Sequence, residues 1–279
     1  MVQLECGKFS RTIDRPLVMG IVNLTPDSFS GDGVDVARAL DKAQEQIEAG
    51  ADWLDVGAES SRPGAQATPL EEELRRLLPV LERLAGCGVP ISVDTYKPPV
   101  MRAAIEAGVA MINDIYGLRM PGALEAVADA DCAVCVMHMQ GEPLSMQQAP
   151  VYGDVVAEVR AFLAERVSAL TKAGVSHRRI VLDPGFGFGK TLEHNLALMR
   201  RLPECVVNEL PLLIGVSRKS MLGALCGREV ADRGAASVAA ALLAAQRGAH
   251  FLRVHDVAAT RDALAVWQAF KPASADATA

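Results

Sequence analysis

The chain has 279 residues, of which 50% are hydrophobic, 22% charged and 4% aromatic, with a formal net charge of −6. That length and apolar content suffice for one large core, and the acidic balance without any Lys/Arg block excludes generic nucleic-acid and membrane-surface binding, both of which need clustered cations. No apolar stretch approaches the roughly 20 residues that span a bilayer, and the N-terminal MVQLECGKFSRTIDR has no apolar signal core, so the expected compartment is the cytoplasm.

In chain order, residues 17–23 read as a first strand, followed by a Gly/Pro/Ser-rich loop over 25–33. Val36, Leu40, Ala43 and Ile47 recur at helical spacing and stop before Gly50, a natural C-terminal glycine. A second strand over 53–56 leads into a second long loop, 58–69. Leu74, Leu77, Leu81 and Leu84 then mark a helix ending before Gly86. Residues 91–94, 111–115 and 133–138 give three more strands, and an irregular stretch, 140–153, follows the last of them. Val155, Val159, Phe162 and Leu170 mark a helix before Gly174, and strands over 180–183, 212–216 and 251–255 complete the pattern. Strands alternating with helices imply parallel pairing and right-handed crossovers. Eight of each predict a (β/α)₈ TIM barrel, in the α/β class, as a single domain over 1–271 with a disordered tail over 272–279.

Six scattered cysteines, including the C-x-x-C of Cys132 and Cys135 without a second pair, read as reduced thiols rather than a zinc or redox site. Residues 185–191, GFGFGKT, look like a phosphate-binding P-loop, but that motif needs glycine where Pro184 stands. The stretch is instead a glycine-rich barrel loop.

In such a barrel, ligands bind where the strands end. The predicted strand ends carry Asn23, Asp55, Asp94, Asn113, His138, Asp183, Ser217 to Lys219, and Arg253 with His255. Any one of these residues is explained by helix capping; all eight strands ending this way is not. Arg253 and His255 lie two apart on a strand and share a face. With Arg218 and Lys219 they make one side of the mouth cationic, suited to a phosphorylated or pyrophosphorylated ligand. Asp94, Asn113 and Asp183 make the other side suited to a heterocycle with several N–H donors. Asn23 offers a neutral oxygen fit for one contact with Mg²⁺ rather than for a protein-built metal cage.

The motifs MGIVNLTPDSF at 19–29, ESSRPGA at 59–65, SVDT at 92–95, NDI at 113–115, MHMQG at 137–141, LDPGFGFGK at 182–190, SRKS at 217–220 and RVHD at 253–256 closely resemble those of bacterial dihydropteroate synthases, in the same order and over nearly the whole chain. The resemblance implies condensation of hydroxymethyl-dihydropterin pyrophosphate with p-aminobenzoate to give dihydropteroate and pyrophosphate, with Mg²⁺, by a homodimeric enzyme of folate biosynthesis. It assigns Asp94, Asn113, Asp183 and Lys219 to the pterin. It assigns Asn23, Ser61, Arg62, Arg253 and His255 to the pyrophosphate, with Asn23 also on the metal, and Arg62, Pro63, Phe188, Lys219 and Ser220 to p-aminobenzoate. Among these, Arg253, His255, Lys219, Asp94 and Asn23 are expected to carry catalysis. Three positions depart from the family pattern: Ser61 stands for the usual threonine, Ala58 for glycine and Tyr96 for serine. The alternatives are a pterin-binding methyltransferase barrel, which would not need the Arg253/His255 site, and an aldolase using Lys219 as a Schiff-base nucleophile.

Overall fold

A computed structural model describes residues 2–24, 36–60, 62 and 64–271. Eight parallel strands form the barrel: β3 (Leu17–Asn23), β4 (Trp53–Gly57), β5 (Ile91–Asp94), β6 (Met111–Asp114), β7 (Ala133–Met137), β8 (Ile180–Asp183), β9 (Leu213–Ile214) and β10 (Phe251–Val254). Each pairs with its neighbour in the order β8-β7-β6-β5-β4-β3-β10-β9. A parallel bridge between Leu182 and Leu212, with the Leu182 N–H donating to the Pro211 carbonyl at 2.9 Å, brings the two ends of the sheet together.

Helices α1 (Val36–Glu48), α2 (Leu70–Leu84), α3 (Pro98–Glu106), α4 (Ala123–Ala128), α5 (Val155–Lys172) and α6 (Leu192–Arg200) each follow one strand. Two helices, α7 (Ser220–Cys226) and α8 (Gly234–Gln246), separate β9 from β10, and α9 (Val257–Ala269) ends the chain. The described residues therefore carry nine α-helices rather than the expected eight, α7 being the addition. A seven-residue helix with only Met221 and Leu222 buried leaves too short an apolar stripe to register as a repeat.

An N-terminal hairpin is a second addition to the expected elements. Strands β1 (Val2–Cys6) and β2 (Phe9–Ile13) pair antiparallel through a turn at Gly7, whose φ of +64° suits glycine. Leu4, Cys6 and Ile13 are buried against Leu17, Met19, Trp53, Met111 and Phe251, closing the N-terminal end of the barrel. Burying a large aliphatic side chain of this kind contributes roughly 1.5–3 kcal/mol. Trp53 and Phe251 pack edge to face there, centroids 5.6 Å apart.

The period-two alternation along each strand explains how one barrel has an oily floor and a polar mouth. Val18, Val22, Leu54, Val56, Val93, Ile112, Val134 and Leu252 belong to the large core beneath the helices. The intervening residues point inward: apolar at the strand starts (Met19, Trp53, Met111, Phe251) and polar near the ends (Asp55, Asp94, Asn113, Asp183, Arg253).

Candidate active site

Strand register sets the mouth. Asn23 pairs with Gly57, Gly57 with Asp94, and Asp94 with Asn113, so four consecutive strands end in one row. The absence of a side chain at Gly57 matters, because a Cβ there would sit 3.3 Å from the Asp94 Cβ. Arg253 starts lower, in register with Met19, and its long side chain crosses the barrel. Its Nε donates to Asp55 Oδ2 at 2.5 Å and its Nη2 to Asp94 Oδ2 at 2.9 Å. Asp55 is fully buried, and its other oxygen, Oδ1, has no hydrogen-bond partner among the described residues.

The charges are tuned by these neighbours. Burial disfavours the Arg253 cation, but Asp55 and Asp94 outweigh that and hold its pKa above the ordinary guanidinium range. Burial pushes the Asp94 carboxyl up to about 7; Arg253 opposes this, and Asp55 and Asp114 add to it. Asp183, buried at the end of β8, is likewise raised by burial, although Lys219 and the Gly185 N–H (2.7 Å to Oδ1) both favour its charge. Lys219 is pushed down to about 8 by burial, against the attraction of Asp183. Its ammonium donates to the Phe186 carbonyl and lies 4.6 Å from the centre of the Phe188 ring.

His255 marks the cationic side. Its Nδ1 is 3.0 Å from the Ser217 hydroxyl, and its carbonyl accepts from Gln46 Nε2 at 3.1 Å. Burial, reinforced by Arg253, Arg218, Arg62 and Lys42, pushes the imidazole down to about 3, so it is neutral at pH 7. Four cations acting on one neutral imidazole in an acidic protein make a local well for an anion.

The loop after β8 supplies the wall beside Lys219, and its shape follows from glycine. Gly185 has φ +71°, and a Cβ there would lie 1.8 Å from the His138 carbonyl oxygen, so no other residue fits. Gly187 has φ +78°, and a Cβ there would crowd the Lys219 Cδ at 3.1 Å. Lys190 fastens the loop from inside, donating to the carbonyls of Gly185 (2.8 Å) and Phe188 (3.0 Å) and facing His138 Nδ1 at 2.9 Å. The lysine of the P-loop look-alike is thus buried and structural. His138, read from sequence as a strand-end group of the mouth, faces Lys190 and packs edge to face on Phe162 at 5.0 Å.

The structure therefore brings Asp94, Asn113, Asp183, Lys219, Arg253, His255 and Phe188 to one mouth. Asn23 is half-buried at the end of β3, and Ser220 is exposed at the start of α7. Arg62 is exposed and close enough to His255 to lower its pKa. Ser61 and Pro63 lie outside the described residues. Asp55, expected only as a strand-end residue without a role, proves to be the buried partner of Arg253; its inward phase with Gly57 on β4 is the available signal. Among the described residues no group of three or more His, Cys, Asp or Glu is arranged to hold a metal ion. A cavity of about 460 Å³ at the opposite end of the barrel, lined by Phe9, Leu84, Ile105 and Val109 among others, brings none of these strand-end groups together.

A barrel whose mouth pairs a carboxylate-and-amide array with a cationic pocket defines a class: enzymes that hold a nitrogen heterocycle beside an anion. The family model for pterin binding enzymes matches residues 19–255. A dihydropteroate synthase from Neisseria meningitidis serogroup C is 52% identical over 272 residues, covering 95% of this chain and 96% of its own. The structure of Burkholderia cenocepacia dihydropteroate synthase complexed with 7,8-dihydropteroate superposes with a TM-score of 0.90 at 53% identity, over 96% of each chain. That of the Xanthomonas albilineans enzyme with 4-aminobenzoic acid gives 0.91 at 55% identity, over 97% of this chain and 99% of that one. The chain belongs to the pterin-binding enzymes and, within them, to the dihydropteroate synthases, transferases of folate biosynthesis.

Proposed function

We propose that this chain joins the pterin methylene to p-aminobenzoate by a dissociative, SN1-like displacement of pyrophosphate, with its two halves of the mouth dividing the work. The observation that carries this reading is the meeting of Arg253 with Asp55 and Asp94 at the boundary between the carboxylate array and the cationic pocket. Asp94, Asn113, Asp183 and Lys219 offer acceptors and a donor to the pterin edge. Arg253, His255, Arg62 and, from the undescribed part of the second loop, Ser61 take the pyrophosphate. Phe188, Ser220 and Pro63 flank the arylamine.

The carbon–oxygen bond between the methylene and pyrophosphate breaks, and its electron pair leaves on the pyrophosphate oxygen. Cations preorganised at His255 stabilise that developing charge. The methylene cation spreads into the electron-rich pterin, and Asp94 and Asp183 favour it electrostatically. The amine, neutral at pH 7, donates its lone pair to form the carbon–nitrogen bond and sheds a proton to water. No strong general base is needed, which suits a site whose histidine is neutral and bonded to Ser217.

Mg²⁺ fits this donor set only in one way. With no acidic cluster among the described residues, the ion would be held by the Asn23 amide oxygen together with the pyrophosphate itself and water, the usual arrangement for substrate-delivered Mg²⁺. Bound there, it would neutralise charge on the leaving group.

We further infer a cytoplasmic homodimer. All six cysteines are free thiols, and no described helix is long and apolar enough to cross a membrane. Leu225, Val230 and Leu243 around α7 and the Ala-rich α8 are exposed apolar side chains of the kind an interface covers. Turnover with the pterin pyrophosphate and p-aminobenzoate is expected to release pyrophosphate and dihydropteroate in equal amounts and only with Mg²⁺. Pterin binding without either product would overturn this reading.

A further inference from the structure

The second loop, 58–69, leaves β4 and returns to α2, and one ammonium closes its neck. Lys97, at the start of α3, donates to Glu59 Oε2 on the outgoing side and to the Thr68 carbonyl on the returning side at 2.7 Å. A third bond runs to Glu73 Oε2 in α2 at 2.6 Å. Around it, Glu59 Oε1 accepts from the Thr68 N–H (2.9 Å) and the Tyr96 phenol (2.8 Å), and Glu73 Oε1 accepts from the Thr95 hydroxyl (2.7 Å). Arg76 adds a bond to the Ala58 carbonyl at 3.3 Å. The ions are withdrawn from water: side-chain exposure is 8% for Glu59, 16% for Lys97 and 0% for Glu73.

Such an ion cluster is poor value as a stabiliser, because desolvating three charges offsets most of their attraction and apolar packing of the same volume would do as well. What it does supply is a fixed geometry. Beyond the neck, the Gly64 N–H donates to the Pro143 carbonyl at 3.0 Å, and the exposed Arg62 cation lies near enough to His255 to disfavour its protonation. The direction in which the neck points therefore sets where Arg62 stands.

We propose that Lys97 is a positioning residue for the transfer reaction: with Glu59 and Glu73 it clasps the neck of the second loop and holds Arg62 where the anionic groups of both substrates bind. Lys97 touches neither substrate. The proposal rests on the synthase reading above, whose own failure would appear as absent turnover in the unaltered protein.

The test is Lys97→Met in the full chain, with Glu59→Gln beside it, because Glu59→Gln leaves the buried Lys97–Glu73 pair intact should the first variant fold poorly. Each variant is expected to raise KM for p-aminobenzoate at least tenfold while kcat falls less. Amide exchange at Gly64 and Thr68 is expected to speed up. Dihydropterin, assigned above to Asp94, Asn113, Asp183 and Lys219 and not to Arg62, is expected to bind within twofold of the unaltered protein. The double variant is expected to be no worse than the worse single one, since both cut one link. Unchanged KM in folded Glu59→Gln, or dihydropterin affinity falling in step with KM, would overturn the assignment.

Discussion

Replacing Arg253 by Met tests the centre of the mouth. The guanidinium is shared by Asp55, fully buried, and Asp94, whose side chain is 11% exposed. Its removal strands both carboxylates near Asp183, and breaking a buried ion pair in this way costs roughly 3–5 kcal/mol, on the order of 10 °C in Tm for a chain of this size. The loss has a pH signature. Without Arg253, the Asp94 carboxyl, already near 7 in the native protein, rises further above its unfolded value. The folded state then holds more protons than the unfolded one above about pH 4, so stability falls as pH rises and is regained on acidification. The Tm deficit should be larger at pH 8 than at pH 5. Separately, losing one cation at the leaving group should lower kcat/KM by about 100- to 1000-fold, the scale of roughly 3–4 kcal/mol seen for a charge-stabilising donor. Thermal melts and continuous pyrophosphate release read the two effects. Arg253→Lys restores the charge but not the fork that reaches two carboxylates, so it should recover most of the stability and little of the rate. Turnover within threefold of native for folded Arg253→Met would refute the reasoning.

Two further outcomes follow from the lysines. Lys219 sits near 8, so kcat/KM for the pterin substrate should fall as pH rises through that value, and Lys219→Arg should move the limb beyond the accessible range; a profile flat to pH 10 in the native protein would contradict a protonated Lys219 at the pterin. Lys190 is pushed down by burial to about 7, so the folded state holds fewer protons than the unfolded one between about 7 and 10.5, and stability should rise with pH through that window. Urea titrations should show that rise in the native protein and its reduction in Lys190→Met. The same variant strands the Gly185 and Phe188 carbonyls, costing roughly 1–3 kcal/mol, and should weaken p-aminobenzoate binding by unseating Phe188.

The parts of the fold legible in the sequence are those with strong periodicity. Strands β3 to β8 and β10 are short, largely apolar runs, each with at least one Val or Ile, because helices cover their outer faces, and most of them end where a polar residue such as Asp, Asn or His follows. The N-terminal hairpin escapes because only its inward face, Leu4, Cys6 and Ile13, is deeply buried, while Gln3, Ser10, Arg11 and Thr12 face solvent. The strand expected over 212–216 narrows to Leu213–Ile214, since the chain turns toward Ser217 and the positive φ of Arg218 soon after. At the site, residue types were legible and pairings were not. Arg253 binds Asp55 across 198 positions of sequence, and Lys97 meets Glu59 and Glu73 from a third element. Such contacts are created by barrel closure, which no local pattern encodes. Lys190 illustrates the converse: a motif that looks like phosphate recognition is, in space, an internal fastening.

The most direct test of the dissociative chemistry is the α-secondary isotope effect with both methylene hydrogens of the pterin pyrophosphate replaced by deuterium, measured on kcat/KM for that substrate. Rehybridisation of the methylene toward a planar cation before the amine bonds predicts a clearly normal effect, larger in Arg253→Lys, where departure of pyrophosphate is slowed and fully limiting. A ratio of unity in both proteins would mean that amine attack accompanies departure, and that Asp94 and Asp183 do not face a free cation.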